Sequence, residues 1–424
     1  MAGPRKVSPA AAMAGAQSAP PPPKKASALA QGRALIAKAF PKDESFVDID
    51  EDSLRESRPN LTTGSIVLDY LIGGKLNRYG VRPCPGLPKK CIVNLYGQES
   101  AGKTTVALTA AVQVCKNGGS VCYIDWENAI DVSYAKTLGI PLDDPDSFLL
   151  AQPESLEKGL VILWTMAKAG VDLIVVDSVG AGVPQALLEQ GVAEKGDMGR
   201  LGANAAKWSR LLPELKGVIN RTGSCVLGIS QLRKKIATGP GGGHGPDSDP
   251  QGGQAWKFYS EVRMGLARVS QDKGKEYNAL THKVEEALVG QTVKCRIDKC
   301  KVSASQGKAA EFYIRFGEGI DDLRSVVEIA SAHGVIKKGG AWYTWERGSG
   351  GSVKGMGMDK FRDALDEDGY TELVNATIVA MSKQPGLVVA DEPTDSVEAA
   401  LDASELDMIM SDPLAAPAPS SDDE

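Results

Sequence analysis

Gly97-Gln98-Glu99-Ser100-Ala101-Gly102-Lys103-Thr104 matches the pattern G-x-x-x-x-G-K-[ST] at every fixed position. Each fixed residue has a physical job. The glycines let the backbone curl so that its N–H groups face phosphate oxygens. Lys103 reaches the β- and γ-phosphates, and the Thr104 hydroxyl is a ligand for Mg²⁺. The flanks suit this chemistry. Cys91 to Tyr96 reads as a short buried strand, and Lys103 to Cys115 as an Ala-rich helix stopped by Asn117-Gly118-Gly119. The loop thus lies at a helix N-terminus, where the helix dipole favours an anion.

Three further strand ends carry polar chemistry. Asp172-Leu-Ile-Val-Val-Asp177 is an apolar strand ending in a carboxylate. Beside a phosphate loop such a carboxylate holds Mg²⁺ through water; otherwise Asp177 is a surface cap on a buried strand. Val121-Cys-Tyr-Ile-Asp125-Trp126-Glu127 ends in two acids. Hydrolysis needs a base to orient and activate water, and Glu127 is the best candidate. The competing reading has Asp125 and Glu127 capping the next helix. Ser224 to Gln231 ends in an amide that can bond a γ-phosphate and report its presence. From there the chain enters Arg233-Lys234-Lys235 and then Gly239-Pro-Gly-Gly-Gly-His-Gly-Pro246. A basic patch feeding a Gly/Pro loop suits a polyanion and a disorder-to-order change. Taken alone, the stretch reads equally well as a plain flexible loop.

The elements that must position these groups follow a strand–turn–helix rhythm from Leu61 to about Ile320. Strands are expected at 91–96, 120–125, 172–177, 224–229, 292–297 and 310–316. This alternation predicts an α/β fold with a largely parallel sheet, helices on its faces and ligands at the carboxyl ends of the strands. Residues 321–383 form a smaller mixed domain, with helices expected at 322–333 and 359–367. Residues 26–60 hold a helix (26–40) and a lone strand (45–50). These bury little by themselves and are expected to pack on a neighbouring subunit. Residues 1–25, with Pro20 to Pro23 in a row, read as a disordered basic arm, and 384–424 as a disordered acidic tail.

Composition bounds the class. Hydrophobic content of 42% and charged content of 24% over 424 residues suit a soluble globular protein. No apolar run approaches the roughly 18 residues of a membrane span, and no signal-peptide core precedes the fold. The first 25 residues are neither Arg-rich nor amphipathic, unlike a transit peptide. Seven scattered cysteines fit reduced thiols in a cytoplasmic protein. Cys295 and Cys300 have no histidine near them in sequence, which argues against zinc. The net charge of −6 is unevenly placed. Beyond Lys383 there are eleven acids and no Lys or Arg, so residues 1–383 carry +5. A mildly basic body bears a polyanionic tail.

The order of these parts resembles the bacterial RecA recombinases. The resemblance rests on the loop running into Lys-Thr-Thr, Ile-Asp-x-Glu-x-x-x-Asp, Val-Val-Asp-Ser-Val, Ser-Gln-Leu-Arg and Gly-Gly-x-Ala-x-Lys-Phe-Tyr. It extends to Leu61-Thr-Thr-Gly-Ser65, Phe316-Gly-Glu-Gly-Ile320 and Gly340-Ala-Trp-Tyr343, covering roughly residues 61–345. It implies a RecA-like P-loop ATPase core with a short N-terminal helix/strand segment and a small C-terminal α/β domain. The implied activity is homologous pairing and strand exchange by a helical filament on single-stranded DNA, driven by DNA-dependent hydrolysis of ATP with Mg²⁺. Single-stranded DNA, homologous duplex DNA and further copies of the chain are the implied partners. Recombination mediators and single-strand-binding proteins are candidates, and no membrane is involved. The implied setting is the bacterial cytoplasm and nucleoid, or a host cytoplasm for a phage-encoded member.

Residue by residue, the resemblance implies these roles. Gly97 and Glu99 to Thr105 (Glu99, Ser100, Ala101, Gly102, Lys103, Thr104, Thr105) hold the triphosphate, with Thr104 and Asp177 on the metal. Glu127 is the catalytic glutamate. Asp131 and Tyr134 contact adenine, and Phe316 stacks on it where the family usually has Tyr. Gln231 senses the γ-phosphate. Residues 184–199 and 232–253 correspond to the two DNA loops, with Met198, Gly199, Arg200, Arg210, Arg233, Lys234, Lys235, Gly252 and Gly253 facing DNA. Lys299 and Lys301, at alternate positions of a strand, reach a neighbour's ATP as an arginine finger does. Lys257 and Phe258 pack on that neighbour.

The departures point to a divergent member. Ala203 stands where the family has an arginine, for which Arg200 can substitute. Trp126 replaces a small residue beside the glutamate. Segment 270–291 is longer than expected, and the Ala/Pro arm has no counterpart. Two other readings share the core. One is a ring-forming helicase or DNA motor, a class that usually completes its site with an arginine finger rather than paired lysines. The other is an assembly protein that uses ATP only as a switch; intact Lys103, Glu127 and Asp177 argue against it.

Overall fold

A computed structural model describes residues 28–39, 52–189, 197–234, 248–250, 254–278 and 280–383. The arm at 1–25, the strand expected at 45–50 and the acidic tail lie outside the described residues. The chain falls into two compact units, residues 1–53 and 54–424. In the first, Ala28–Ala39 is one helix with Leu29, Leu35 and Ile36 exposed.

The second unit is built on a ten-stranded sheet. Six strands run parallel, in spatial order Val262–Asn278, Ile92–Gly97, Cys225–Lys234, Leu173–Asp177, Val121–Asp125 and Phe148–Ala151. Three of these, Ile92–Gly97, Val121–Asp125 and Leu173–Asp177, are buried along their whole length. Burial on both faces is why they read as unbroken apolar runs rather than alternating ones. Beyond Val262–Asn278 the sheet turns antiparallel, through Lys283–Cys300, Ala309–Arg315 and Gly319–Ile320. The expected strands at 292–297 and 310–316 therefore exist, but outside the parallel part.

Two core strands were not expected. Phe148–Ala151 is four residues long and half-buried on one side. Val262–Asn278 starts apolar but runs on through Gln-Asp-Lys-Gly-Lys-Glu at 271–276, which carries no strand pattern. Its far half pairs with 283–288 in a hairpin, and most of 283–288 is exposed. That hairpin is the long segment at 270–291.

Helices cover both faces. On one side Lys103–Lys116 packs Val106, Leu108 and Val112 against Leu95, Tyr123, Val175 and Leu227. On the other, Leu156–Ala169 and Asp197–Thr222 pack against Cys122, Ile124, Ile174 and Val176. Alternate residues of Val121–Asp125 thus feed opposite cores, as the period of two requires.

A third core, around Val326, Trp345, Phe361 and Leu373, lies in the C-terminal part. It joins the helix Asp322–Ala332 to a meander of Lys337–Gly339, Trp342–Glu346 and Ser352–Met356. The helix expected at 359–367 stops at Asp363, and a further helix, Glu367–Lys383, follows. Its start is marked by Asp366, whose carboxylate accepts the Gly369 N–H at 2.6 Å.

Candidate active site

The parallel register brings the motif ends to one edge of the sheet. Gly97 lies opposite Gln231, and Asp125 opposite Asp177. Between them the chain turns tightly into the helix Lys103–Lys116. Ser100 (φ 61°) and Gly102 (φ 87°) take left-handed conformations. The angle at Gly102 favours glycine, and a Cβ there would also fall 2.3 Å from Ile314 Cδ1, which would have to shift.

The loop lines a cavity of about 510 Å³. One end is walled by Glu99, Ser100, Gly102, Lys103, Thr104 and Thr105. Lys103 Nζ donates to the carbonyls of Gly97 (3.0 Å) and Gln98 (2.5 Å). Burial pulls its ammonium below the usual lysine range, against the opposing pull of Asp177, Glu127 and Glu99. The two carbonyls satisfy the buried ammonium. Tyr134, Gln291, Arg315, Phe316 and Gly317 also line the cavity, and the two aromatic rings among them suit a planar group.

Asp177, Glu127 and Gln231 form the third wall. Burial pushes the Asp177 carboxyl up to about 6. Hydrogen bonds from Tyr123 and Thr104 pull it down, and the charges of Glu127 and Asp125 add to the rise. Thr104 Oγ1 donates to Asp177 at 3.0 Å and Tyr123 Oη at 2.7 Å. The Glu127 carboxylate accepts hydrogen bonds from Ser178 Oγ and from Gln231 Nε2, the latter at 3.0 and 3.3 Å. Asp125 has a different job. It is buried and accepts the N–H groups of Glu127 and Ile130 and the amide of Gln152. It fixes the turn, leaving Glu127 to face the cavity.

The RecA N-terminal domain model matches residues 27–321. The protein RecA of Chlorobaculum tepidum is 38% identical over 336 residues, 78% of this chain and 86% of that protein. RecA of Chloroherpeton thalassium is 40% identical over 312 residues, 73% of this chain and 77% of that protein. RecA of Bifidobacterium longum is 35% identical over 385 residues, 90% of this chain and 87% of that protein.

The chain belongs to the RecA family. Within this RecA-family site the structure adds three residues that had been given no role. Ser178 follows Asp177 directly, and its polar type after a buried strand is a readable signal. Tyr123 lies inside an apolar strand and shows none. Gln291 comes from the antiparallel strand and donates to the Ser100 carbonyl at 3.1 Å.

Other expected residues lie elsewhere. Gly97 and Ala101 do not line the cavity; Gly97 supplies a carbonyl to Lys103, and Ala101 is buried in the core. Asp131 is outside the lining too. It caps the helix Val132–Leu138, accepting the N–H groups of Ser133 and Tyr134 at 2.8 and 3.1 Å. Lys299 and Lys301 are outside the lining as well. Lys299 Nζ donates to the carbonyls of Lys257 (2.7 Å) and Phe258 (3.0 Å), at the end of the helix Gln254–Tyr259. Burial lowers its pKa, and the charges of Lys301 and Arg263 lower it further. Lys301 is exposed and lies one residue past the strand Lys283–Cys300, so the two lysines are not alternate residues of one strand as expected. Phe258 is 69% exposed, and an exposed aromatic beside two lysines suits contact with another chain.

For the residues expected at DNA, Met198, Gly199 and Arg200 fall in the first turn of the helix Asp197–Thr222, and Arg210 is exposed further along it. Arg233 and Lys234 end the strand Cys225–Lys234, which pairs with Ser248–Pro250. Lys235, Gly252 and Gly253 lie outside the described residues.

Proposed function

We propose that this chain is an ATP-dependent recombinase that assembles on single-stranded DNA and carries out homologous pairing and strand exchange. The observation that carries the reading is Glu127, held at the cavity wall between Ser178 and Gln231. Gln231 lies on the strand that runs directly into the 232–253 segment.

In this reading the loop from Glu99 to Thr105 binds the triphosphate, with Lys103 turning from its own loop carbonyls to the phosphates. Tyr134 and Phe316 hold the base. Glu127 takes a proton from water as that water attacks the γ-phosphorus, and ADP and inorganic phosphate leave. Gln231 exchanges its bond to Glu127 for one to the γ-phosphate, so the strand behind it reports ATP to the DNA segment. Mg²⁺ fits beside Thr104 and Asp177: a hydroxyl and a carboxylate already share a hydrogen bond there, and among the described residues no cluster of three acids, histidines or cysteines offers an all-protein site. When bound, the ion neutralises charge on the phosphate oxygens.

Lys299 and Lys301 complete the site of a neighbouring subunit, and Lys257 with Phe258 pack against it. The exposed Leu29 and Leu35 of the N-terminal helix suit the same assembly. Arg233 and Lys234, with Arg200 and Arg210, bind DNA phosphates, so binding weakens steeply with salt. No described helix is long and apolar enough to cross a membrane, and the reading places the protein in the cytoplasm. Electron microscopy with single-stranded DNA and a slowly hydrolysed ATP analogue tests the reading. Helical filaments that vanish in Lys103→Ala are expected; closed hexameric rings, or no DNA-dependent assembly, would sink it.

A further inference from the structure

Three tryptophans interlock behind the hydrolytic wall. The Trp126 and Trp208 rings meet edge to face at 6.2 Å and 89°, and Trp208 and Trp256 at 5.0 Å and 72°. All three are buried. They come from three separate elements: the turn before Glu127, the middle of the helix Asp197–Thr222, and the helix Gln254–Tyr259.

Each indole is rooted to one of the three side chains that meet at the Glu127 carboxylate. Trp126 precedes Glu127. Its backbone N–H donates to the Asp177 carbonyl at 2.9 Å and its indole to the Ser155 carbonyl at 3.1 Å. Trp208 Nε1 donates to the Val179 carbonyl at 3.0 Å. Val179 follows Ser178, which donates to Glu127. Trp256 covers Gly228, where a Cβ would fall 2.3 Å from the ring. Gly228 lies three residues before Gln231, the other donor to Glu127. The Trp256 indole N–H is itself buried without a hydrogen-bond partner. A hydrogen bond therefore does not account for tryptophan there, whereas its fit over Gly228 and against Trp208 does.

We infer that Trp126, Trp208 and Trp256 are positioning residues that set the Glu127–Ser178–Gln231 geometry. The inference rests on the reading of Glu127 as the hydrolytic base. The helices bearing Trp208 and Trp256 directly follow the two segments read as DNA loops, 184–199 and 232–253. A shift of either helix on DNA binding moves an indole, because packed rings of this kind repack in steps and do not deform smoothly. Ser178 or Gln231 then moves relative to Glu127, and hydrolysis becomes DNA-dependent.

The test is steady-state ATPase of the full chain with saturating single-stranded DNA. Trp208→Phe keeps an apolar ring and removes the Nε1–H. It is expected to lower kcat at least fivefold while the KM for ATP stays within twofold. In a Ser178→Ala background it should cost less than 1.5-fold more, since it acts through Ser178. An unchanged kcat, or losses that multiply in the double variant, overturns the proposal. If thermal unfolding finds Trp208→Phe unfolded at the assay temperature, Trp256→Phe decides, because it removes no hydrogen bond. A fall in kcat at constant KM supports the proposal and an unchanged kcat rejects it. Glu127→Gln runs in parallel. If it hydrolyses ATP normally, the reading of Glu127 fails and takes the inference with it. If it is inactive, the tryptophan results bear on the tryptophans alone.

Discussion

Gln231 Nε2 donates to both carboxylate oxygens of Glu127, at 3.0 and 3.3 Å. Glu127 lies two residues past the strand Val121–Asp125 and Gln231 lies where the parallel pairing of Cys225–Lys234 ends, so this bond joins the hydrolytic residue to the strand leading into the 232–253 segment. An amide donor bonded to both oxygens fixes the aim of the carboxylate. Gln231→Ala should therefore lower DNA-stimulated kcat, by roughly 10²-fold if the aim of a general base is lost, with little change in KM. Gln231→Glu should do worse, because it sets a like charge against Glu127. Coupled ATPase assays with and without DNA check both. A variant that loses affinity for ATP instead would make Gln231 a binding residue.

Much of this wall was legible from residue order. A parallel strand buried on both faces writes itself as an apolar run, and its carboxyl end is where ligands bind. Asp177 ends such a strand, Glu127 follows another by two residues, Gln231 stands where the parallel pairing of its strand ends, and Lys103 and Thr104 open the helix after a third. Tyr123 and Gln291 were not legible. The Tyr123 hydroxyl reaches Asp177 only because Val121–Asp125 and Leu173–Asp177 are neighbours in the sheet, and Gln291 meets Ser100 across 191 residues. The far half of the hairpin 262–300 was hidden for another reason. It has little core to face, so its residues obey no period.

Lys299 makes a sharper case. Its ammonium closes the end of the helix Gln254–Tyr259 through the Lys257 and Phe258 carbonyls. If it also reaches a neighbour's nucleotide, Lys299→Ala should lower the DNA-dependent ATPase at least tenfold. Nucleotide binding by the isolated subunit should stay within twofold. Fluorescent-nucleotide titration below the assembly concentration reads the second quantity. Weakened binding there would mean that the lysine acts within its own subunit.

The joint between the ATPase core and the C-terminal helices carries a pH signature. Burial pushes the Asp322 carboxyl up to about 6, against hydrogen bonds from the Ile66 N–H and the Tyr370 hydroxyl, with Asp321 adding to the rise. The folded chain keeps this proton up to near pH 6, while the unfolded chain releases it near pH 4. The folded state thus binds more protons in that window, and stability falls as pH rises through it. Asp69, pushed up to about 7 by burial, extends the fall. Asp322→Asn keeps the shape and removes one titration. Its stability should fall less between pH 4 and 6, by at most about 3 kcal/mol. Urea unfolding midpoints across that range measure the difference, and parallel curves for the two proteins would discount Asp322.

The tail invites a test of charge alone. Residues 384–424 hold eleven acids and no basic residue, against +5 for the rest. A tethered polyanion competes with DNA phosphates for the basic surface. Truncation after Lys383 should therefore tighten duplex-DNA binding at low salt, where the Debye length of about 30 Å at 0.01 M lets the tail act over distance. The gain should shrink as salt rises, because counterions screen tail and DNA alike. Filter-binding or anisotropy titrations of both proteins over a salt series read this directly. Equal affinities at low salt would reduce the tail to a solubilising segment. A gain that survives high salt would point to steric blocking of the DNA surface.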